Sequence, residues 1–369
     1  MQTDDPLVPL FQAGVAAVRG DTAVATALAR APCPVPDQII AVGKAATAMA
    51  CAAHDAFPDA PVLIVTKYDH AEGAPDTAEI IEAAHPVLDN RSLAAGARLL
   101  EVVGAMQPGS HLLMLVSGGA SALAEAPIEG LDLAGLKARA QDMLASGADI
   151  HAMNAARKQV SRVKGGKLLG HFHGATATTL AISDVEGDSL HVIGSGIGAA
   201  PDAPAFTFDA RIVASNAIAR QAVVAAANLA GEPVGLNEET LYQDIHPLAA
   251  TIATSLQHAA PGLHVFGGEP TVILPPDPGQ GGRNQALALL LAREISGQTG
   301  LHILVAGTDG TDGPTDAAGA IVDGATWAAD AQDALDRADA GRWLETRGHV
   351  LKTGPTGTNV MDLVIALKR

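Results

Sequence analysis

Short apolar runs rich in β-branched residues alternate along this chain with alanine-rich helical stretches, and glycine-rich loops join them. Three of these runs lie within the first 120 residues, at positions 38–42, 61–66 and 111–116. Such alternation is typical of βαβ units, in which crossover helices connect parallel strands. The sequence therefore predicts an α/β fold with a parallel sheet in its N-terminal part.

The length of the chain and an interruption of the strand and helix pattern by Pro and Gly indicate two domains. A chain of 369 residues is long enough for two domains of ordinary size. Pro and Gly interrupt the pattern at residues 231–235, so we place the boundary there and predict domains 1–232 and 233–369. Aromatic residues make up only 3% of the chain, so we expect cores built from Ala, Val, Leu and Ile.

The net charge and the cysteine content limit the classes of partner. A formal net charge of −17 argues against nucleic acid and anionic membranes, because both need a basic protein surface. Cys33 and Cys51 have no metal-ligand spacing, so we expect free thiols in a reducing compartment. No signal-peptide pattern and no apolar run of about 20 residues is present. We therefore expect a soluble cytoplasmic protein that is a monomer or a homodimer.

Five glycine-rich loops carry most of the residues from which we infer a function. Glycine lets the backbone approach a ligand closely, and the exposed N–H groups of such turns attract anions. Three of the loops also carry a charged side chain suited to a phosphate or a metal ion. Together they indicate an enzyme that handles phosphate. The loops are residues 42–44, 117–121, 281–284, 308–313 and 353–359.

Two cations, Lys44 and Arg283, follow glycine at predicted helix starts. A lysine is unfavourable there unless an anion binds, because the helix dipole attracts negative charge. Arginine at such a position can bind phosphate or carboxylate through two hydrogen bonds. The sequence also predicts a helix over residues 150–163, with a polar stripe spaced for one helix face. That stripe, which is equally compatible with a solvated face, is Asn154, Arg157, Lys158 and Ser161.

Carboxylates follow two of the predicted strands. Asp184 and Asp188 come after one strand, and Asp309 and Asp312 come after another, with glycines between them. Oxygen ligands at strand ends suit Mg²⁺ or a general base, although Asp beside Gly is also a common turn residue. Glu269, between a glycine and a proline, is a further candidate for a nucleotide or metal contact.

Taken together, these motifs resemble the class II glycerate 2-kinases, whose C-terminal half carries the domain called MOFRL. The resemblance runs from about residue 40 to the C-terminus, in family order. It implies a Rossmann-like parallel-sheet N-terminal domain, a smaller MOFRL-type α/β C-terminal domain, and an active site in the cleft between them. Matching stretches include VGKAATAM (42–49), LVSGGASAL (115–123), NAARKQVSRVKGGKL (154–168), GGRNQALAL (281–289), AGTDGTDGPTDAAGA (306–320) and TGPTGTNVMDL (353–363).

The resemblance also implies a reaction. It is the transfer of the γ-phosphoryl group of ATP to the 2-hydroxyl of D-glycerate, which gives 2-phosphoglycerate and ADP with Mg²⁺ as cofactor. A rival interpretation is an NAD(P)H-dependent hydroxypyruvate reductase, a name that family members have carried, although the absence of GxGxxG counts against it. The sequence is also compatible with a kinase of a related sugar acid and with a non-catalytic sensor of sugar acids.

The family's catalytic lysine and arginine match Lys44 and Arg283, and we expect Asp184 or Asp188 to accept the hydroxyl proton or hold the metal. Mg²⁺ is also expected at Asp309 and Asp312. The substrate glycerate is expected to contact Ser117, Gly118, Gly119, Ser121, Asn154 and Lys158. The nucleotide is expected to contact Lys164, Ser215, Asn216, Glu269, Thr308, Asp309, Gly310, Gly354, Thr356 and Asn359.

The chain departs from the family pattern after Asp188. The family continues there through a Ser-Gly-Pro turn and some tens of residues of helical insertion. In this chain Gly194 to Gly198 replaces the turn, and only a short segment leads to Ser215. Gln159 also stands where the family usually has histidine. These changes leave the phosphate-handling motifs in place and leave the exact sugar acid open.

Overall fold

The computed structural model describes residues 5–145 and 156–369, which form two compact units. Unit 2 is Arg19–Ser215, and unit 1 joins the N-terminal helix, up to Val18, to Asn216–Arg369. The N-terminal helix and the helix Asn216–Leu229 pack on each other and therefore belong with the second sheet. The boundary at residue 232 stays a prediction about the family's domains, and the compact units divide the chain elsewhere.

Unit 2 is built on a parallel sheet, which confirms the Rossmann-like sheet that the resemblance implies. In the described chain its strands have the order β3-β2-β1-β4-β5-β6. The order reverses between β1 and β4, and ligands of such sheets bind in the crevice beyond the strand ends at this point. The strands are β1 Gln38–Val42, β2 Val62–Lys67, β3 Glu79–Ala83, β4 His111–Val116, β5 Thr176–Ile182 and β6 Thr207–Ala214.

Helices cover the faces of this sheet and bury its apolar strands. The helix Asn90–Ala105 begins with a capping box, in which Asp89 Oδ1 accepts from Ser92 N at 2.9 Å and Ser92 Oγ accepts from Asp89 N at 3.2 Å. Its buried face carries Leu99 and Val103, both with no exposed surface. The other helices of this unit are Gly20–Arg30, Ala46–Ala56, Ala120–Leu123 and Leu133–Ala145, with 3₁₀ turns at Leu169–His171, Glu186–Asp188 and Ile193–Gly196.

The predicted helix over residues 150–163 is wrong at its C-terminal end. Helical conformation ends at residue 159, and Ser161 instead forms an isolated β-bridge with Pro127. Backbone hydrogen bonds from Ile128 N to the carbonyl oxygen of residue 160 (2.9 Å) and from Arg162 N to that of residue 126 (2.7 Å) hold this segment extended. Ser161 therefore shares no helix face with Lys158, and Asn154 lies outside the described residues.

Unit 1 contains a mixed sheet with the order β11-β10-β9-β12-β8-β7 among the residues described. Strand β7 is parallel to β8, and the other neighbours are antiparallel. The strands are β7 Val234–Glu239, β8 Gly262–Gly268, β9 Leu301–Gly307, β10 Gly319–Asp323, β11 Val350–Leu351 and β12 Asp362–Lys368. The helices are Leu7–Val18, Asn216–Leu229, Ile245–His258, Arg283–Glu294, Ala331–Asp336 and Ala340–Thr346.

Residues 271–274 are Thr-Val-Ile-Leu, and their β-branched side chains predict a strand, but the structure has none there. Thr271 makes only an isolated bridge with Asp244, and the side chain of Ile273 is 88% exposed. Two prolines follow at 275 and 276, and proline cannot donate to a strand ladder.

In the described ranges, no helix combines the length and the apolar character required to cross a bilayer.

Candidate active site

Two loops leave the sheet of unit 2 at the point where its strand order reverses. One follows β1 and contains Gly43 and Lys44, and the other follows β4 and begins at Ser117. Ser117 N donates to Val42 O at 3.0 Å, and Lys44 N donates to Gly118 O at 2.9 Å. These backbone hydrogen bonds hold the two loops together at the bottom of the crevice.

Gly43 is required by the close approach of these loops. Its φ is 134°, and a Cβ atom at this position would lie 2.1 Å from Ser117 Oγ. Ser117 is fully buried, and its Oγ accepts a hydrogen bond from Ala45 N at 3.0 Å. Ser117 thus braces the two loops, and its predicted contact with glycerate stays a prediction.

Lys44 lies in the turn before a helix rather than at the helix start, as the helix begins at Ala46. A Cβ atom on Gly119 would lie 3.2 Å from Lys44 Cγ and 3.2 Å from His85 Nε2. The lysine stem and the imidazole therefore both flank Gly119, whose φ is 83°. The structure brings Lys44 together with the predicted substrate loop.

A cavity of 740 Å³ in unit 2 is lined in part by Gly119, Ser121 and His85. Cationic side chains outnumber carboxylates in its lining, so an organic anion is favoured there over a cation. Its charged lining residues are Glu125, Lys137, Arg139, Asp142, Arg157 and Lys164.

A buried ion pair forms part of the wall of this cavity. Lys164 Nζ donates to Glu125 Oε2 at 2.7 Å, and both side chains are only 2% exposed. Burial lowers the pKa of Lys164 from its ordinary value, and the carboxylate of Glu125 opposes that shift. Lys164 lines the cavity beside the predicted substrate loop, and its predicted contact with the nucleotide stays a prediction.

Other predicted residues of unit 2 contact the backbone or one another. Lys158 Nζ donates to the carbonyl oxygen of His191 at 2.8 Å, and the hydroxyl groups of Ser121 and Ser195 lie 2.8 Å apart. Ser195 has a φ of 59° and lies in the turn between Gly194 and Gly196. This turn is thus anchored to Ser121.

Asp184 and Asp188 follow β5, next to β4 in the sheet, and so lie at the edge that carries the Lys44 loop. Asp188 belongs to a 3₁₀ turn and has a φ of 51°, a left-handed conformation that non-glycine residues seldom adopt. The structure therefore puts both carboxylates at the strand ends that the sequence predicts.

The charged residues of unit 1 meet at the start of β12. Asp362 pairs in register with Gly268 at the end of β8 and with Gly307 at the end of β9. Arg283 Nε donates to Asp362 Oδ2 at 2.7 Å, and Arg283 Nη1 donates to Glu269 Oε1 at 2.8 Å. The antiparallel register thus brings the carboxylates at two strand ends to one guanidinium group.

These contacts shift the pKa values of the pair in unit 1. Burial alone would lower the pKa of Arg283, but the carboxylates of Asp362 and Glu269 raise it above its ordinary value. Burial raises the pKa of Asp362, and Arg283 opposes that shift. Asp362 was not among the residues predicted from the sequence, although it lies in the matched stretch 353–363.

Asp312 caps the helix that carries Arg283. Its Oδ1 accepts from Asn284 N at 3.0 Å, and its Oδ2 accepts from Gln285 N at 2.7 Å. Burial raises the pKa of Asp312 to about 7, against the effect of these two hydrogen bonds. Both oxygens are engaged with the helix, so this carboxylate does not fit the role of a Mg²⁺ ligand.

We expect Asp312→Asn to change how stability depends on pH. The pKa of Asp312 rises from 3.8 to about 7 on folding. Its protonated form therefore favours the folded state below about pH 4, and this contribution is lost as the pH rises through 7. The free energy of unfolding of the wild type, measured relative to that of the variant, should fall by up to about 4 kcal/mol between pH 4 and pH 8. Urea unfolding of both proteins across this range measures it, and parallel pH curves would contradict the assignment.

Two of the three glycine-rich loops of unit 1, residues 308–313 and 353–359, are held together by hydroxyl groups. Thr308 Oγ1 donates to Met361 O at 2.6 Å, and Thr356 Oγ1 donates to Thr308 O at 2.6 Å. A Cβ atom on Gly310 would lie 2.1 Å from the carbonyl oxygen of Gly354. The structure thus brings these predicted nucleotide contacts together, with Asn359 half-buried in the second loop.

The remaining residues that were predicted to contact the nucleotide differ in how exposed their side chains are. Asp309 Oδ1 accepts from Thr311 N at 3.0 Å within its own loop. Asn216 is buried, and its amide donates to the carbonyl oxygens of Val360 and Asp362 and accepts from Arg220. Ser215 is buried as well. No group of three or more Asp, Glu, His or Cys side chains forms a metal site in the part of the chain that the structure describes.

Comparison with known proteins places these units in a family. The chain matches the Domain of unknown function (DUF4147) over residues 7–229 and the MOFRL family over residues 262–362. A D-glycerate 2-kinase from Thermotoga maritima is 37% identical, over 89% of this chain and 90% of that protein. A protein from Agrobacterium vitis that carries the name hydroxypyruvate reductase is 36% identical, over 88% of this chain and 97% of its own.

A solved structure agrees with the sequence relatives. The crystal structure of a glycerate kinase from Thermotoga maritima matches with a TM-score of 0.89 and 33% identity, and 98% of each chain is covered. The match extends over both the parallel sheet of unit 2 and the mixed sheet of unit 1. The chain therefore belongs to the family of glycerate kinases that combine a DUF4147 domain with a MOFRL domain.

Proposed function

We propose that this protein is a glycerate 2-kinase that transfers the γ-phosphoryl group of ATP to the 2-hydroxyl of D-glycerate. The observation that carries the proposal is the position of Lys44 at the switch point of a parallel sheet, beside Gly119 and a cavity rich in cationic groups. The family's relatives that are named glycerate 2-kinases support the same reaction.

In phosphoryl transfer, the protein mainly positions the reacting groups and stabilises the charge on the transferring phosphoryl group. Lys44 neutralises charge on the transferring phosphoryl group, and the backbone N–H groups of Gly118 and Gly119 bind an anionic group of the substrate. Arg283 adds positive charge in unit 1, where Glu269 and Asp362 fix the orientation of its guanidinium group. Asp184 or Asp188 accepts the proton of the attacking hydroxyl, which their position at the end of β5 supports.

The proposal includes Mg²⁺ as a partner of the nucleotide. Asp312 is bound to the helix through both oxygens, so it does not fit as a ligand, and Asp309 is the remaining carboxylate of that loop. Magnesium usually keeps several waters and binds substrate phosphates together with one or two carboxylates. A nucleotide that brings its own Mg²⁺ agrees with this donor set.

The proposal also includes a cytoplasmic location. Cys33 and Cys51 are both free thiols. Free thiols without a disulfide framework are usual in reducing compartments. This state supports a protein that works in the cytoplasm.

A hydroxypyruvate reductase is the second candidate, because a relative carries that name and the sheet has the order of dinucleotide-binding folds. The loop after β1 lacks the GxGxxG sequence with which such folds bind a pyrophosphate. Lys44 occupies that loop instead. The reductase is therefore not favoured, and we expect no oxidation of NADH or NADPH in the presence of hydroxypyruvate.

The test is incubation with ATP, Mg²⁺ and D-glycerate, followed by coupling to enolase and pyruvate kinase without phosphoglycerate mutase. Enolase accepts 2-phosphoglycerate and not its 3-isomer. We expect a signal that requires all three components. If the folded protein gives no signal while the coupling enzymes work, the proposal is contradicted. If ADP is released with another 2-hydroxy acid instead, the protein is a kinase of a related sugar acid.

A further inference from the structure

The buried ion pair between Glu125 and Lys164 is incomplete. Glu125 Oε2 accepts from Lys164 Nζ at 2.7 Å, but Glu125 Oε1 has no hydrogen-bond partner within residues 5–145 and 156–369, although it is inaccessible to solvent. An ammonium group has three N–H donors, and the described contacts of Lys164 Nζ use one of them. Such unpaired groups are uncommon in folded proteins, because burial removes their hydrogen bonds to water.

A second ion pair in the same chain, between Arg220 and Glu239, is partly buried and has its hydrogen bonds completed. Arg220 donates from Nε to Asn216 and from its two terminal nitrogens to Asn237 and Glu239. The hydroxyl group of Tyr242 donates to the other oxygen of Glu239 at 2.6 Å. The Arg220 network therefore holds unit 1 together with its groups paired, whereas the Glu125 pair retains an open acceptor.

The residue that carries the open acceptor lines the cavity that adjoins the candidate substrate loop. Glu125 and Lys164 both line the 740 Å³ cavity, together with Gly119 and Ser121. Gly119 is the residue against which the stem of Lys44 lies. A short helix, Ala120–Leu123, connects Gly119 to the segment that carries Glu125, so one continuous stretch of chain contributes both ends of the site.

We propose that Glu125 and Lys164 bind a hydroxyl group of the substrate that is not phosphorylated. A hydroxyl group donates one hydrogen bond and accepts others, so it can donate to Glu125 Oε1 while it accepts from Lys164 Nζ. This inference rests on the proposed function and narrows its substrate class. The preferred substrate is a 2-hydroxy acid that carries a second hydroxyl on the neighbouring carbon, as glycerate does, and 2-hydroxy acids without it are rejected.

The expected loss of kcat/KM for an acid without the second hydroxyl follows from the polar groups of Glu125 and Lys164 that then stay unpaired. A site built to hydrogen-bond a substrate hydroxyl rejects the analogue that lacks it by roughly 10⁴-fold or more, because the buried polar groups then stay unpaired. An apolar pocket discriminates against an added hydroxyl by only about 10²-fold. The ratio of kcat/KM for two acids therefore reports on this pair directly, and a general structural defect would lower both values together.

The first arm of the test uses the wild-type protein and three acids: D-glycerate, D-lactate and the 3-fluoro analogue of D-lactate. Fluorine has nearly the size of a hydroxyl group but cannot donate to Glu125. We expect glycerate to exceed both analogues by roughly 10⁴-fold in kcat/KM. A fluoro analogue that is as good as glycerate, or a lactate that is as good, would overturn the proposal.

The second arm replaces the pair by apolar residues of similar size, Glu125→Leu with Lys164→Met, which leaves no buried charge unpaired. We expect the preference for glycerate over lactate to be lost or reversed, with lactate favoured by up to about 10²-fold in kcat/KM, because an apolar pocket discriminates against the added hydroxyl. The control replaces an exposed pair of the same unit in the same way, Glu79→Leu with Arg98→Met. It should keep the wild-type ratio, and a pocket variant that also kept it would overturn the proposal.

Calorimetric Kd values for the same three acids, measured without nucleotide, separate this inference from the proposed function. If the wild-type protein phosphorylates none of the acids but binds glycerate far more tightly than lactate, the kinase proposal fails and the hydroxyl site stands. If it phosphorylates glycerate and lactate equally well, the kinase proposal stands and the hydroxyl site fails. Circular dichroism verifies folding, and the three-acid comparison decides the question without any variant.

Discussion

Replacement of Lys44 by methionine lowers kcat for the phosphorylation of glycerate by on the order of 10³-fold, with little change in stability. Loss of one preorganised group that stabilises developing charge costs about 10²- to 10³-fold in rate, and Lys44 carries a full charge. Methionine keeps an unbranched stem, so the packing against Gly119 survives while the ammonium group is lost. The hydrogen bond from the backbone N of residue 44 to Gly118 O does not depend on the side chain.

The measurement is the coupled assay at saturating ATP and glycerate, together with a thermal unfolding curve for each protein. Lys352→Met is the matched control, because Lys352 is an exposed lysine of unit 1 that pairs with Asp316 and Glu345. Its rate should equal that of the wild type. A Lys44→Met enzyme with wild-type kcat would remove Lys44 from the mechanism, and a variant whose unfolding midpoint fell sharply would show a structural role instead.

The position of Lys44 could be predicted from the sequence because the signals that determine it are local. The apolar run at 38–42 predicts a buried strand, Gly43 predicts the turn, and the helix that follows fixes the βαβ unit. The parallel sheet and the loop after β4 follow from the same kind of pattern. The exact start of the helix does not, because Ala45 precedes it without a side-chain cap and gives no terminal signal.

The roles of Glu125, Asp312 and Asp362 could not be predicted in this way, because each depends on a partner far along the chain. Glu125 meets Lys164 across 39 residues, and Asp362 meets Arg283 across 79. Asp312 belongs to a loop rich in Asp and Gly, in which metal binding and turn formation look alike. Its role becomes clear only from the two backbone N–H groups that it caps, 28 and 27 residues away.

The two incorrect secondary structure predictions have the same origin. The spacing of Arg157, Lys158 and Ser161 agrees with a helix, but hydrogen bonds to residues 126–128 hold the end of that segment extended. The β-branched residues at 271–273 agree with a strand, yet the described structure provides this segment with only one bridge, at Thr271. In both cases tertiary contacts override the local pattern.

Replacement of Lys164 alone by methionine destabilises the protein by about 3–5 kcal/mol, because it leaves the carboxylate of Glu125 buried without a counterion. Both side chains of the pair are only 2% exposed, so solvent screens the remaining charge very little. Addition of Glu125→Leu should recover most of this loss, since apolar residues of similar volume often replace a buried ion pair without a net cost. The non-additivity of the two substitutions is therefore the expected signature.

Urea unfolding of the wild type, both single variants and the double variant measures this coupling as a double-mutant cycle. Arg98→Met is the control, because its partner Glu79 is exposed and such pairs contribute about 1 kcal/mol or less. If Lys164→Met costs no more than Arg98→Met, Glu125 has found other partners and is not an isolated buried charge. In the expected case, the free energy of unfolding rises most on addition of D-glycerate in the wild type, because only the intact pair binds the second hydroxyl of the acid.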